Sequence, residues 1–274
     1  MKNYYFISLL LLSVLHVYGQ PRKILYATAS VRNMQGKLLK KGDVLNGTEP
    51  LKMGGPKDSA IVMVMGKGIG LLTAGPNAIT GKRNAEWLAY FKDTFWMTPK
   101  DKVLQGRPGP MLNDDDLARH LQQLAGGKPL LIIDSLQIPV GGSVSQKADH
   151  GFYYLQYKTD AGTINKQLKF RKQSGVLSSL VIDTSLLKMD GKLVRPIFQT
   201  TAVLLVYEDR LQGSTPIATL DLCLMTKESL RVDLCEPDST HNLNFSEVLQ
   251  YLALRFGNGD EEQLRNTIKK FDCH

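Results

Sequence analysis

GFYYLQYKTDAGTINKQLKF, Gly151 to Phe170, decides the fold class. Two runs, GFYYLQYKT and GTINKQLKF, meet at Asp160-Ala161-Gly162, the composition of a hairpin turn. Alternation along the first run puts Phe152, Tyr154, Gln156 and Lys158 on one face. Tyr153, Leu155, Tyr157 and Thr159 fall on the other. Aromatic residues on both faces point to a sheet packed on one side and bearing tyrosines on the other. Tyr153, Tyr154 and Tyr157 are therefore candidates for a binding face, a shelf for a ligand. Ordinary strand composition accounts for the same residues without a ligand.

Further runs surround this hairpin: PLLIID, LQIPV, VLSSLVID, FQTTAVLLVYE and ATLDLCLM. Together they make residues 128–274 a large antiparallel β region. Its end is helical. NFSEVLQYLALRF places Val248, Leu249, Leu252 and Phe256 near one face, and EEQLRNTIKKF carries Glu early and Lys late, in keeping with the helix dipole. Two such helices are expected to cover a sheet face.

Upstream, residues 83–127 form a helical segment. NAEWLAYFKDTFW has apolar residues at mixed three- and four-residue spacing and predicts a short helix. NDDDLARHLQQLAGG predicts a second, capped by Asn113 or Asp114, striped by Leu117, Leu121 and Leu124, and ended by Gly126-Gly127. The Asp114–Asp116 run complements the positive helix start rather than marking a metal site, which needs oxygens converging from several directions. The loop Pro99 to Pro110 and the Gly126-Gly127 break are the candidate inner boundaries.

Residues 20–82 read as a small all-β unit. The strand AIVMVM, the turn GKG and the strand IGLLTA make a hairpin. AIVMVM is apolar on both faces, so it is expected to be central. The order VRNMQGKLLKKGDVLNGTEPLKMGGPKDSAIVMVMGKGIGLLTAG resembles FecR-type extracytoplasmic β domains over residues 24–75. Those repeat a strand, a Gly turn, a Gly-Asp step and another strand. Here Gly42-Asp43 is one such step, and Pro50 to Gly55 stands where a second belongs. The resemblance implies a binding or assembly module outside the cytoplasm, with no catalytic residue carried over. The expected fold class is thus α+β: a small N-terminal all-β unit, a helical linker segment, and a larger antiparallel β region packed by two C-terminal helices.

Residues 1–19 read as a secretory signal. Lys2 precedes the apolar stretch Phe6 to Val17, and Val17 and Gly19 occupy small-residue positions that put cleavage before Gln20. The stretch is short of the roughly 20 residues that span a bilayer, although an N-terminal anchor is the alternative. No later run is long enough, so no transmembrane span is expected after the signal is removed. The destination is the periplasm or the cell surface.

The 274-residue chain has 43% hydrophobic and 22% charged residues, enough apolar material for a core. Its net charge of +8 favours anionic polymers or other envelope proteins as partners. The densest basic clusters, Lys37–Lys41 and Lys166–Lys172, read as solvated strand faces. Export argues against nucleic acid.

Nucleotide binding is excluded on the motif. GPNAITGKRN, Gly75 to Asn84, ends an apolar run in Gly-Lys. It has five residues between its glycines where a phosphate loop has four, and Arg83 stands where a Ser or Thr must ligate magnesium. GKGIG lacks the third glycine of a dinucleotide site, since Leu71 fills that position. No cofactor is expected. The strands LLIID and SLVID end at Asp because Asp starts turns.

Three cysteines, Cys223, Cys235 and Cys273, leave an odd thiol. Cys223 and Cys235 lie in echoing Asp-Leu-Cys triplets. They could bridge if both lie on strands, and not if SLRVDLCE is helical. Buried free thiols are the other reading. Histidines His120, His150 and His241 are scattered, with no metal-ligand spacing and no company that marks a general base, so no catalytic residue is named. The expected function is an exported non-enzymatic binding or assembly module of the cell envelope. The alternative is an envelope hydrolase whose site assembles from dispersed residues.

Overall fold

The computed structural model describes residues 21–46, 49–64, 68–74, 110–159, 162–172, 179–186, 200–235 and 243–271, with the backbone alone of 87–89, 95–96, 173, 176–178, 187–189 and 192–193. The fold is α+β with a large β region and C-terminal helices. The chain divides into two compact units, Met1–Asp101 with Glu236–Leu254 and Lys102–Cys235 with Arg255–His274.

The first unit is built on a sheet of β1 (Arg22–Ala27), β2 (Val44–Leu45), β4 (Ser59–Val64), β5 (Gly68–Thr73) and β7 (Phe95–Trp96), with β3 (Leu51–Met53) paired to β6 (Trp87–Ala89). The order β2-β1-β4-β5-β7 makes AIVMVM the central strand. Ile24, Val31, Leu51, Val62 and Leu72 form its core. The MGGPKDSA segment is held by one carboxylate. Asp58 accepts from Thr28 Oγ1 at 2.8 Å, Ser30 Oγ at 2.5 Å and the Gly55 amide at 2.9 Å. Partial burial opposes its ionisation, but the hydrogen bonds from Ser30, Thr28 and the amides of Gly54 and Gly55 outweigh it and hold the carboxyl below its usual range.

The helix expected over 84–96 is not what forms at its described positions. Trp87–Ala89 pairs antiparallel with Leu51–Met53, and Phe95–Trp96 with Gly70–Leu71. Open strand edges at β3 and β5 recruit an aromatic-rich segment that suits a pleated surface, and pairing overrides the helical spacing. The loop Gly75–Asn84, Arg83 and His241 lie outside the described residues. Helix α4 (Phe245–Arg255), most of which belongs to this unit, starts on a reciprocal cap. Asn244 Oδ1 accepts from the Glu247 amide at 3.0 Å, and Glu247 Oε2 from the Asn244 amide at 2.8 Å.

The second unit has two sheets around one core. The larger contains β8 (Leu130–Ile133), β10 (Gly151–Thr159), β11 (Gly162–Gln167), β16 (Thr201–Asp209) and β17 (Gly213–Met225), ordered β11-β10-β16-β17-β8. All its pairs are antiparallel except β17 with β8. The smaller is ordered β12-β13-β9, from β9 (Ser135–Pro139), β12 (Lys169–Gln173) and β13 (Val176–Asp183). A short pair, β14 (Lys188–Met189) and β15 (Lys192–Leu193), follows.

Two single-residue corners carry the chain between these sheets. GTINKQLKF, expected as one strand, breaks at Leu168, which is buried and donates its amide to Tyr153 O at 2.8 Å. Asp134 breaks LLIIDSLQIP, with φ of 57°. That left-handed conformation is uncommon outside glycine, and Asp is one of the residues that tolerate it.

Helix α1 (Asp114–Ala125) forms as its sequence dictates. Asn113 is the cap, its Oδ1 accepting from the Asp116 amide at 2.8 Å, and Gly126 ends the helix in the left-handed region. Leu117, Leu121 and Leu124 enter the shared core beside Leu136, Ile138, Leu155, Leu180 and Leu205. Helix α2 (Gly142–His150) was not legible in GSVSQKADH, which has one buried apolar residue, Val144. Helix α3 (Lys227–Cys235) settles the conformation of SLRVDLC, and α5 (Glu261–Ile268) starts on Asp260, whose Oδ1 accepts from the Gln263 amide at 2.7 Å. No helix among the described residues is long and apolar enough to cross a membrane.

Candidate functional site

The tyrosines expected on a binding face are interior. Tyr153, Tyr154 and Tyr157 are all buried. Tyr153 and Tyr157 point into the core between the sheets, where Tyr153 lies 5.1 Å from the Tyr207 ring and 6.0 Å from that of Phe170. Its hydroxyl donates to Asp114 Oδ1 at 2.6 Å, and Tyr157 donates to Leu186 O at 2.8 Å. Burial first, and then the Asp114 carboxylate, push the Tyr153 hydroxyl far above its ordinary pKa. Tyr154 is on the opposite face, packed 6.0 Å from Phe152. The face of Tyr153 and Tyr157 is buried in the core, and on the other face Tyr154 is buried while Lys158 is exposed, so the three tyrosines serve packing. Asp114 also binds Lys147 Nζ at 2.5 Å, which completes the partnering of the helix-start carboxylate.

The Cys223–Cys235 bridge, one of the two readings the sequence leaves open, does not form. Cys223 is a free thiol, fully buried on β17, and Cys235 ends α3 in a disulfide. The geometry fails for the reason foreseen in the sequence: Lys227–Cys235 is helical, so the two thiols do not share a strand face. Burial raises the Cys223 thiol to about 11. Cys273 lies outside the described residues.

What the sequence did not mark is a cavity of about 550 Å³ in the second unit. Residues of the Ile133–Pro139 corner, α1, the start of α3 and α5 line it. The corner is fixed at Asp134. Its amide donates to Met225 O at 2.7 Å and its carbonyl accepts from Thr184 N at 3.0 Å. Its Oδ1 accepts from the Lys227 amide at 3.0 Å, and Oδ2 pairs with Lys227 Nζ at 3.2 Å. Asp134 therefore caps α3 from another strand, satisfying an orphan amide of that helix. Gln263 Nε2 bridges Ile133 O, at 3.2 Å, and Ser135 O, docking α5 on the same corner.

His120 is a buried titratable side chain in the wall. Heptad-like spacing beside Leu117, Leu121 and Leu124 puts it at 9% exposure. Its imidazole has no hydrogen-bond partner among the described residues. Burial lowers its pKa, and the Asp260 carboxylate opposes that shift, so the ring is held neutral at neutral pH. Asp260 uses one oxygen to cap α5. His150 ends α2 and does not line this cavity. The only signal that could have found the site is the run of polar residues on α5 facing the strand end at Asp134.

No family model, no curated protein and no solved structure matches this chain.

Proposed function

We propose that this chain is an exported, non-enzymatic binding module of the cell envelope, with the His120 cavity as its ligand site. The observation that carries the reading is that cavity. Its volume falls in the range of small-molecule sites, roughly 300–1,000 Å³, and a buried imidazole without a hydrogen-bond partner among the described residues lines it. Three features support the location: the Lys2-apolar-small order of residues 1–19, the FecR-type resemblance of residues 24–75, and a disulfide at Cys235, which suits an oxidising compartment. The charge of +8 favours envelope proteins or anionic polymers as the larger surroundings.

The test has two parts. Fractionation with N-terminal sequencing should give mature protein beginning at Gln20 outside the cytosol, and intact Met1 on cytosolic protein would refute export. Mass spectrometry of small molecules released from protein purified out of its native envelope should find a species lost in His120→Ala.

A hydrolase is the second reading, because the same cavity gathers Ser135, His120 and Asp260, the residue types of acyl transfer. Turnover of an envelope ester or amide by purified protein, abolished by both His120→Ala and Ser135→Ala, would establish it in place of simple binding.

A further inference from the structure

We propose that the His120 cavity receives the ammonium group of a small amine-bearing ligand. This deepens the binding reading above and rests on it. The cavity wall offers acceptors. The neutral imidazole of His120 has a lone pair and no partner among the described residues, and Asp260 interacts with it electrostatically. Asp260 spends Oδ1 on the Gln263 amide, while Oδ2 makes no hydrogen bond among the described residues. An ammonium carries three donors and no acceptor, which matches a ring nitrogen and a carboxylate that line the same cavity.

The remaining charges favour the same ligand. Asp134 and Lys227 neutralise each other. Glu262 and Lys270 are both exposed and stand at the rim. That leaves Asp260 as the half-buried charge facing the buried ring. An anionic ligand would sit against this carboxylate, where like charges repel. A metal ion would need more ligands, and among the described residues no group of three or more His, Cys, Asp or Glu converges.

Ethanolamine, ethylene glycol and glycolate are near-isosteric probes carrying an ammonium, no charge and a carboxylate. Each is titrated into the full chain while NMR follows the His120 imidazole, assigned by its loss in His120→Asn. Ethanolamine should shift the resonance saturably and lower the His120 pKa further, because a cation beside the ring opposes protonation. The other two should not. Asp260→Asn keeps an N-cap for α5 and should weaken ethanolamine binding about tenfold, as loss of a charge-assisted hydrogen bond does. The probe series on the unaltered chain does not depend on that variant folding. An equal response to ethylene glycol, or a stronger one to glycolate, overturns the ammonium assignment and leaves the cavity a binding site. Silence from all three probes overturns both readings. Undiminished ethanolamine binding by folded Asp260→Asn also overturns the proposal.

Discussion

Asp134 joins two roles that substitution can separate. Its backbone turns the chain from β8 into β9 with φ of 57°, and its side chain caps α3 through the Lys227 amide. Alanine keeps neither advantage. Placing an ordinary L-residue in the left-handed region costs about 1–2 kcal/mol, and removing a cap acceptor costs about 1 kcal/mol. The ion pair with Lys227 has side chains 47% and 40% exposed, so its loss adds at most about 0.5 kcal/mol. Asp134→Ala should therefore destabilise the second unit by about 2–3 kcal/mol. Asparagine tolerates the same conformation and keeps an oxygen for the amide, so Asp134→Asn should lose only the ion-pair contribution. Urea unfolding followed by circular dichroism, with unchanged slope in all three proteins, measures the difference. If Asn costs as much as Ala, charge and not backbone geometry holds the corner. If Ala costs nothing, the corner does not need this residue at all.

Three other outcomes follow from the same geometry. The buried neutral His120 binds a proton in the unfolded chain before it does in the folded one; stability should therefore fall as pH drops through about 6.5, and His120→Asn should remove up to about one proton from that slope in pH-dependent denaturation. Three cysteines with one disulfide leave one thiol, so a thiol-reactive dye should label one site per unreduced chain after denaturation, and none while Cys223 is buried in the native protein. Tyr153→Phe strands the Asp114 oxygen now bonded at 2.6 Å and should cost about 2 kcal/mol in chemical denaturation. Tyr157→Phe, which gives up a bond to a neutral carbonyl, should cost less.

Features set by neighbours in the chain were readable in advance. Asn113 and Gly126 bound α1, β4 pairs antiparallel with β5 from Val64 opposite Gly68 onward, and strand-ending Asp183 begins a turn by accepting from Ser185 N at 2.8 Å. The alternation of Tyr153, Leu155 and Tyr157 toward one core was equally plain. These depend on caps, turns and period, which act over four residues or fewer.

Other outcomes required surfaces supplied from far along the chain. Trp87–Ala89 is a strand because Leu51–Met53 offers it an edge. Tyr154 is buried although its strand carries Lys158 and Gln156 on the same face. Cys223 stays free because Cys235 lies on a helix, where the echoing triplets mimic a strand pair. The cavity itself joins residue 120 to residues 134, 227 and 260. By itself the sequence determined which segments alternate, where helices begin and end, and that the chain mixes α and β. Only the tertiary structure decided which polar groups lose their water together, because burial and local field are properties of distant segments brought into contact, which no local pattern encodes.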